Sequence, residues 1–528
     1  MSAINKLSVG IRKFHTTASR LRKYVELTAV RYPLLKRGNF SFLSDRHLGF
    51  FQSILSAHQV LTDELNDLSG YNVDWMRSVR GMSHVTNCSG NYGLYVYSYC
   101  LGSSRLVLRP KTTEEVAAIL QYCNVQNIAI CPQGGNTGLV GGSVPVFDEV
   151  VLSLELMDEV ISVDELSGVT IVQAGCVLEK LETVLHLSNL ALPLDLGAKG
   201  SCQIGGNVAT NAGGIRLLRY GNLHGSVLGL TAVLANGQIM DCLNTNKKDN
   251  TGYDLKQLFI GSEGTLGVVT QVALQCQPKP SSVQVGFFGL NSFENVLETL
   301  RLSKRNLGEI LSSCELIDQS SLECVTKQLE LRSPINNFPF YMLLETAGSN
   351  AGHDAEKLNS LLEILINNGT IVDGTLAVDS AQAKNLWGLR ERISEALACE
   401  GYVYKYDVSV PIRQFYQLVD DIRIRLGNLP IRCCGYGHLG DGNLHLNITS
   451  HEYNPILLNR IEPFVYDWVG QERGSVSAEH GLGLKKRDYM EYSKSPTAIH
   501  WMRRVKKLFD PNNILNPYKI FPEQSSTD

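Results

Sequence analysis

Between Gly134 and Gly267 lie 21 of the chain's 47 glycines, in about a quarter of its 528 residues. That density exceeds what ordinary turns need, and it carries no short repeat, so collagen-like and solenoid architectures are excluded. The glycines form three clusters: PQGGNTGLVGG from Pro132, GAKGSCQIGGNVATNAGG from Gly197, and GSEGTLG from Gly261. β-type runs adjoin them at 128–131, 150–156, 169–175, 230–237 and 268–274, and 113–125 reads as a helix. Glycine lets the backbone approach an anionic group closely and turn its N–H groups toward it. A large anionic cofactor is therefore the expected ligand. Expected contacts in the first cluster are Pro132, Gly134, Gly135, Asn136, Thr137, Gly138, Leu139, Gly142 and Ser143. In the second they are Gly197, Gly200, Ser201, Gly205, Gly206, Asn207, Thr210, Asn211, Gly213 and Gly214. In the third they are Glu263, Gly264, Gly267 and Val268.

Simpler nucleotide signatures fail. No P-loop motif occurs, and the single G-x-G-x-x-G, at Gly435–Gly440, runs through a D-G turn into strand-like residues. A dinucleotide fingerprint must instead open a helix after a first strand. Hydrophobic residues make up 44% and charged residues 19%, which affords a large core, and the net charge of −4 argues against a nucleic-acid-coating protein. No apolar run approaches the roughly 18 residues of a membrane helix. Thirteen scattered cysteines without a C-x-x-C pair read as buried reduced thiols.

The first 25 residues hold Lys6, Arg12, Lys13, Arg20, Arg22 and Lys23 with no acidic residue before Glu26. That composition is expected of a mitochondrial transit peptide. Residues 26–104 read as an N-terminal helical segment interrupted at 84–103 by an uncharged stretch with four tyrosines, expected to be a surface loop or a gene-model error. The cofactor domain is expected over 105–280. A substrate domain follows over 281–490, where glycine thins out after Pro278, with a closing segment at 491–528.

The second half contains YGHLGDGNLHLN, from Tyr436 to Asn447, and SAEHGLG from Ser477. Asp-Gly signals a hairpin, and strand alternation puts Asn443, His445 and Asn447 on one face. A tight turn can then bring His438 and His445 together. With Glu479 they could form a three-ligand set with open positions, as in a catalytic metal site; hydrogen-bonded structural histidines account for the spacing as well.

The three glycine motifs, GHLGDGNLH, AEHG and the closing DPNNILNP resemble the FAD-linked D-2-hydroxyacid dehydrogenases, flavoproteins of the vanillyl-alcohol-oxidase type, over roughly 106–521. The resemblance implies an α+β fold: a two-part FAD-binding domain, an α+β cap carrying the substrate site, and a C-terminal return. No histidine closes the Gly134-Gly135-Asn136 loop, which implies non-covalent FAD. It also implies that His438, His445 and Glu479 hold a metal ion, with zinc expected and Mn²⁺ or Co²⁺ also suited to these ligands, and that His480 is the general base. Arg390, Ser394 and Lys405 form a pattern similar to members acting on D-2-hydroxyglutarate, where the matching residues bind the distal carboxylate; Ser394 is usually threonine there. Asn447 matches a further substrate contact. Members acting on D-lactate should not need Lys405. With no nicotinamide site, electron-transfer flavoprotein is the implied acceptor, and a homodimer is a candidate assembly. Tyr518 departs from the pattern, since relatives usually have glycine there. The nearest rival is a D-lactate or broad-range D-2-hydroxyacid dehydrogenase; a hydrolase using the His/His/Glu set without redox chemistry is another class, against which the glycine clusters argue, and a non-catalytic binding protein is a third, against which the full set of His438, His445, Glu479 and His480 argues.

Overall fold

The computed structural model describes residues 32, 35–75 and 104–522. The expected transit peptide at 1–25 and the stretch 84–103 lie outside them.

Two sheets build the first half. In one, strand Val150–Ser153 lies parallel between Leu106–Leu108 and Ile130–Gln133, and Val60–Thr62 adds an antiparallel edge. The helix Thr113–Gln126 makes the crossover. Thr112 caps it by accepting from the Glu115 N–H, and Glu114 and Glu115 lie in its positively polarised first turn. The other sheet is antiparallel, in the order Val160–Asp164, Val169–Gln173, Val268–Gln275, Val227–Val233, Ile239–Cys242. The first glycine cluster leaves Ile130–Gln133 as irregular loop, and the second opens the helix Ile204–Thr210. One apolar core runs from Phe51 to Cys276 and is closed by Ile514 and Leu515, so the end of the chain returns to the first half. Ile514 and Leu515 pair with Ile130, and the buried Lys519 ammonium donates to Gly142 O, Val144 O and Asn516 Oδ1. Tyr518 has a φ of 69°, the left-handed region that glycine enters without cost; its ring is held against Phe40 and Phe147.

After Pro278 a seven-stranded antiparallel sheet forms in the order Asp373–Leu376, Ser282–Leu290, Phe340–Gly348, Leu311–Asp318, Arg432–His438, Asn443–Ser450, Tyr402–Ser409. Its alternation sorts two cores. Phe288, Leu316, Met342, Leu446 and Tyr406 point to one side. Phe287, Ile317, Leu343 and Tyr436 point to the other, against Leu386, Leu389, Ile393 and Leu397 of the helices Ser380–Glu391 and Ile393–Glu400. The G-x-G-x-x-G segment is a strand running into a hairpin turn, with Gly442 at φ 82°. No helix among the described residues is long and apolar enough to cross a membrane.

Candidate active site

Register does most of the assembly. The hairpin sets His438 opposite Asn443, Tyr436 opposite His445 and Cys434 opposite Asn447. The neighbouring strand sets Asp407 opposite His445 and Lys405 opposite Asn447, and on the other flank Glu315 lies opposite His438. Because side chains alternate, all these groups share one face of the sheet. Onto that face comes the loop after Ser475, carrying Glu479 and His480.

The Nε2 atoms of His438, His445 and His480 lie 3.7, 3.8 and 3.9 Å from Glu479 Oε1. Ligands about 2.1 Å from a tetrahedral zinc would be roughly 3.4 Å apart, so this convergence fits an ion after small adjustments. Asp407, His445, Glu479 and His480 also lie within 4.8 Å of one another. Asp407 is nevertheless committed elsewhere: its Oδ2 accepts the N–H groups of Ala478, Glu479 and His480 at 3.1, 3.0 and 3.0 Å, and its Oδ1 accepts from Asn443 Nδ2 at 2.8 Å. With Asp407 committed behind the cluster, His438, His445, Glu479 and His480 are the side chains that could hold an ion, although His438 lies outside the tighter group of four.

Burial opposes ionisation of Asp407 and Glu479, yet their surroundings hold both well below the usual carboxylate range: the adjacent His480 ring, Lys486 and the Glu479 N–H for Asp407, and the hydrogen bond and charge of His438 for Glu479. Burial would depress His438, but Glu315 and Glu479 outweigh it and lift the imidazole to about 10. The field that favours a proton there also favours a divalent cation at Nε2. Burial and the His438 charge push His445 down to about 3, which leaves a neutral nitrogen ligand. Burial also lowers His480, the state a general base needs. Its Nδ1 faces Asp407 Oδ2 at 3.6 Å, which favours the tautomer with the lone pair on Nε2.

Beside this cluster, the Arg390 guanidinium lies 4.9 Å over the Tyr436 ring, and the Tyr436 hydroxyl meets Ser394 Oγ at 2.9 Å. Arg390 Nη2 pairs with Glu315 Oε2 at 2.8 Å, while Arg390 Nε and Asn447 Oδ1 are buried without a hydrogen-bond partner. Buried polar groups are normally satisfied, so these are fitted to a polar ligand.

The glycine clusters pack into one cradle next to it. A Cβ on Gly135 would fall 1.9 Å from Ser201 O, and one on Gly205 would fall 2.6 Å from the Ala174 side chain, so these glycines close the loops on each other. At Gly197 and Gly206 a Cβ would meet nothing within 4 Å, which leaves open space where a ligand can lie against backbone. Gln203 Oε1, Asn207 Oδ1 and Asn211 Oδ1 are buried there without donors, so the residues present fit a large polar cofactor. Not every expected contact faces the cradle. Asn136 Nδ2 donates to Gly70 O and Val73 O while its Oδ1 accepts from Ser143, and Thr210 donates back to Gly206 O. The Glu263 carboxylate turns away and accepts the N–H groups of Leu482 and Gly483, both at 2.8 Å. The cradle reaches the histidine–glutamate cluster directly, since Gly214 N–H donates to Glu479 Oε2 at 2.8 Å.

Comparison with known proteins agrees with these features. The family described as an FAD binding domain matches residues 104–243, and that described as FAD linked oxidases, C-terminal domain, matches 279–520. A mitochondrial D-2-hydroxyglutarate dehydrogenase from Bos taurus is 53% identical over 506 residues, 96% of this chain and 89% of that one. The chain belongs to the FAD-dependent D-2-hydroxyacid dehydrogenases. A D-2-hydroxyglutarate–pyruvate transhydrogenase from Saccharomyces cerevisiae is 43% identical over 94% of this enzyme and 98% of its own length. Among solved structures, p-cresol methylhydroxylase superposes with a TM-score of 0.71 over 90% of this enzyme and 96% of that chain at 15% identity, which shows the shared vanillyl-alcohol-oxidase-type fold.

Three participants are absent from the residue pattern read above: Asp407, Glu315 and Tyr436. Asp407 and Tyr436 had a local signal, each standing two residues from a candidate on its strand, Lys405 and His438, and so on the same face.

Proposed function

We propose that the enzyme oxidises D-2-hydroxyglutarate to 2-oxoglutarate, with non-covalent FAD in the glycine cradle and a divalent ion, zinc by its ligand types, on His438, His445 and Glu479. The observation that carries the reading is the meeting of two groups of side chains at one sheet face: histidines converging on Glu479, and beside them the buried Arg390 guanidinium, whose Nε has no hydrogen-bond partner. A hydroxyacid with a second carboxylate needs both.

Bound FAD supplies the two-electron acceptor, and the ion supplies a Lewis acid that lowers the pKa of the α-hydroxyl. The chain's own residues do the rest. His480 Nε2 takes the hydroxyl proton, and Asp407 stabilises the imidazolium that results. Arg390, Ser394 and Lys405 hold the distal carboxylate by a fork donor, a hydroxyl and a point charge, and Asn447 Oδ1 accepts from a substrate hydroxyl. The buried floor of the sheet excludes water and sharpens each of these interactions.

The relatives' names support the substrate, and the one from Bos taurus also supports a mitochondrial location, which we extend to the matrix. We propose electron-transfer flavoprotein as the physiological acceptor. The yeast relative's name favours a second reading, in which a 2-oxoacid such as pyruvate reoxidises the flavin. Anaerobic mixing with D-2-hydroxyglutarate, L-2-hydroxyglutarate and D-lactate tests the proposal. Bleaching of flavin absorbance by D-2-hydroxyglutarate alone, abolished by a chelator, is expected. Equal bleaching by D-lactate would remove the distal-carboxylate assignment. Recovery of colour on adding pyruvate would favour the second reading.

A further inference from the structure

Glu315 stands between the two halves of the proposed site. It lies on strand Leu311–Asp318, directly opposite His438, and is fully buried. Its two oxygens are divided. Oε1 faces His438 Nδ1 at 2.9 Å and accepts from Ser313 Oγ at 3.0 Å, while Oε2 lies 2.8 Å from Arg390 Nη2. A carboxylate on Nδ1–H fixes the tautomer of a metal-binding histidine and raises the basicity of Nε2, the atom that points at Glu479. The same carboxylate holds the guanidinium that would receive the distal end of a dicarboxylate. Arg390 has no other carboxylate within ion-pair distance among the described residues, so its placement depends on this one contact and on the Tyr436 ring.

Resting on the function proposed above, we propose that Glu315 is a positioning residue that couples metal binding at His438 to recognition of the distal substrate carboxylate at Arg390. Two properties that look separate, metal affinity and preference for a dicarboxylate over a monocarboxylate, then share one side chain. Charge withdrawn from Oε2 by Arg390 is charge that Oε1 cannot offer to His438, so a change at either end is felt at the other. Among the described residues the ion pair of Arg390 is with Glu315 and not with a proposed metal ligand, so its removal is expected to change metal affinity through Glu315 beyond the effect of its charge on His445.

The test uses the full-length holoenzyme and the variants E315Q, E315D, R390M and E315Q/R390M, with zinc as the metal probe. Zinc dissociation constants come from competition with a chromogenic chelator, and KM and kcat are measured with D-2-hydroxyglutarate and D-lactate at saturating zinc. Retained flavin absorbance and an unchanged circular dichroism spectrum establish folding. E315Q is expected to weaken zinc by about 10- to 100-fold, the usual range for partners of metal ligands. It is also expected to raise KM for D-2-hydroxyglutarate by about 10-fold and for D-lactate by less than about 2-fold, as loss of one charged contact to the distal group implies. E315D keeps the charge and is expected to bind zinc within about 3-fold of wild type. The zinc effect of R390M should shrink in the E315Q background, giving a non-zero coupling in the double-mutant cycle.

An unchanged zinc constant in folded E315Q, or equal KM increases for both substrates, overturns the inference while leaving the proposed function intact. If wild type itself binds no zinc and ignores chelators, the functional reading fails instead. Should E315Q not fold, a zinc constant in folded R390M equal to that of wild type would overturn the coupling, and a changed one would support it.

Discussion

Replacing Asp407 with asparagine removes a charge and changes few other contacts. The carboxylate receives three consecutive N–H groups, from Ala478, Glu479 and His480, and a fourth donor from Asn443. Hydrogen bonds to a charged group contribute about 1 kcal/mol more than neutral ones, so neutralisation weakens the three backbone bonds by roughly 3 kcal/mol together. The new amide group must also face either the Asn443 amide or those N–H groups, donor against donor, which adds about 1 kcal/mol. The loss falls on the loop that carries Glu479 and His480, and about 4 kcal/mol corresponds to a ceiling near 800-fold. We expect D407N to lose at least about 100-fold in kcat/KM for D-2-hydroxyglutarate and about 10-fold or more in zinc affinity, with flavin content unchanged. Steady-state kinetics, chelator competition and the visible spectrum of the purified protein measure the three. A D407N enzyme with kcat/KM within about 3-fold of wild type at full zinc occupancy would refute the argument, because the loop would then not depend on that charge.

Two glycines make opposite predictions. G135A drives a Cβ into the Ser201 carbonyl and should yield little folded, flavin-bearing protein, as judged by yield and absorbance. G206A sits in a helix with open space beside it, so the apoprotein should be as stable or up to about 1 kcal/mol more stable in a denaturant titration, while FAD affinity falls. Lys405→Ala should raise KM for D-2-hydroxyglutarate by about 10-fold or more and leave D-lactate oxidation nearly unchanged. His480 has its pKa lowered by burial, so it stays neutral as pH falls past its usual 6.5. kcat/KM should therefore hold from pH 8 down to 6.5 and decline only below that, and an acid limb centred above 6.5 would contradict the assignment.

Much of this site is written locally in the sequence. Alternation alone assigns Asn443, His445 and Asn447 to one face, and the Asp-Gly turn brings His438 back beside them, because a strand's period and a turn's geometry depend on neighbours in sequence. The glycine clusters are legible for the same reason, since close backbone approach admits little else. Glu315 was not legible, and Asp407 only as a neighbour of Lys405 on its strand. Each is a single acid in an ordinary strand, and its importance comes from register with a partner 123 residues away for Glu315 and 73 for Asp407. The sequence groups Glu263 with the glycines of the cradle but does not show that its carboxylate accepts from Leu482 and Gly483, a choice made by the tertiary docking of two loops. Tyr518 shows the converse: a residue in a conformation suited to glycine is retained because aromatic packing on Phe147 and Phe40 compensates.

The loop 478–483 is gripped from two sides, by Asp407 beneath it and by Glu263 and Gly214 across from it. During synthesis both grips emerge from the ribosome before the loop does, and they belong to separately cored parts of the chain. The proposed ion site therefore needs both parts of the chain before its carboxylate is held in place. A partly made chain holds two histidines on a hairpin but lacks the oriented carboxylate that would complete the set. The proposed Lewis-acid site is thereby tied to the presence of the glycine cradle, which emerges before it.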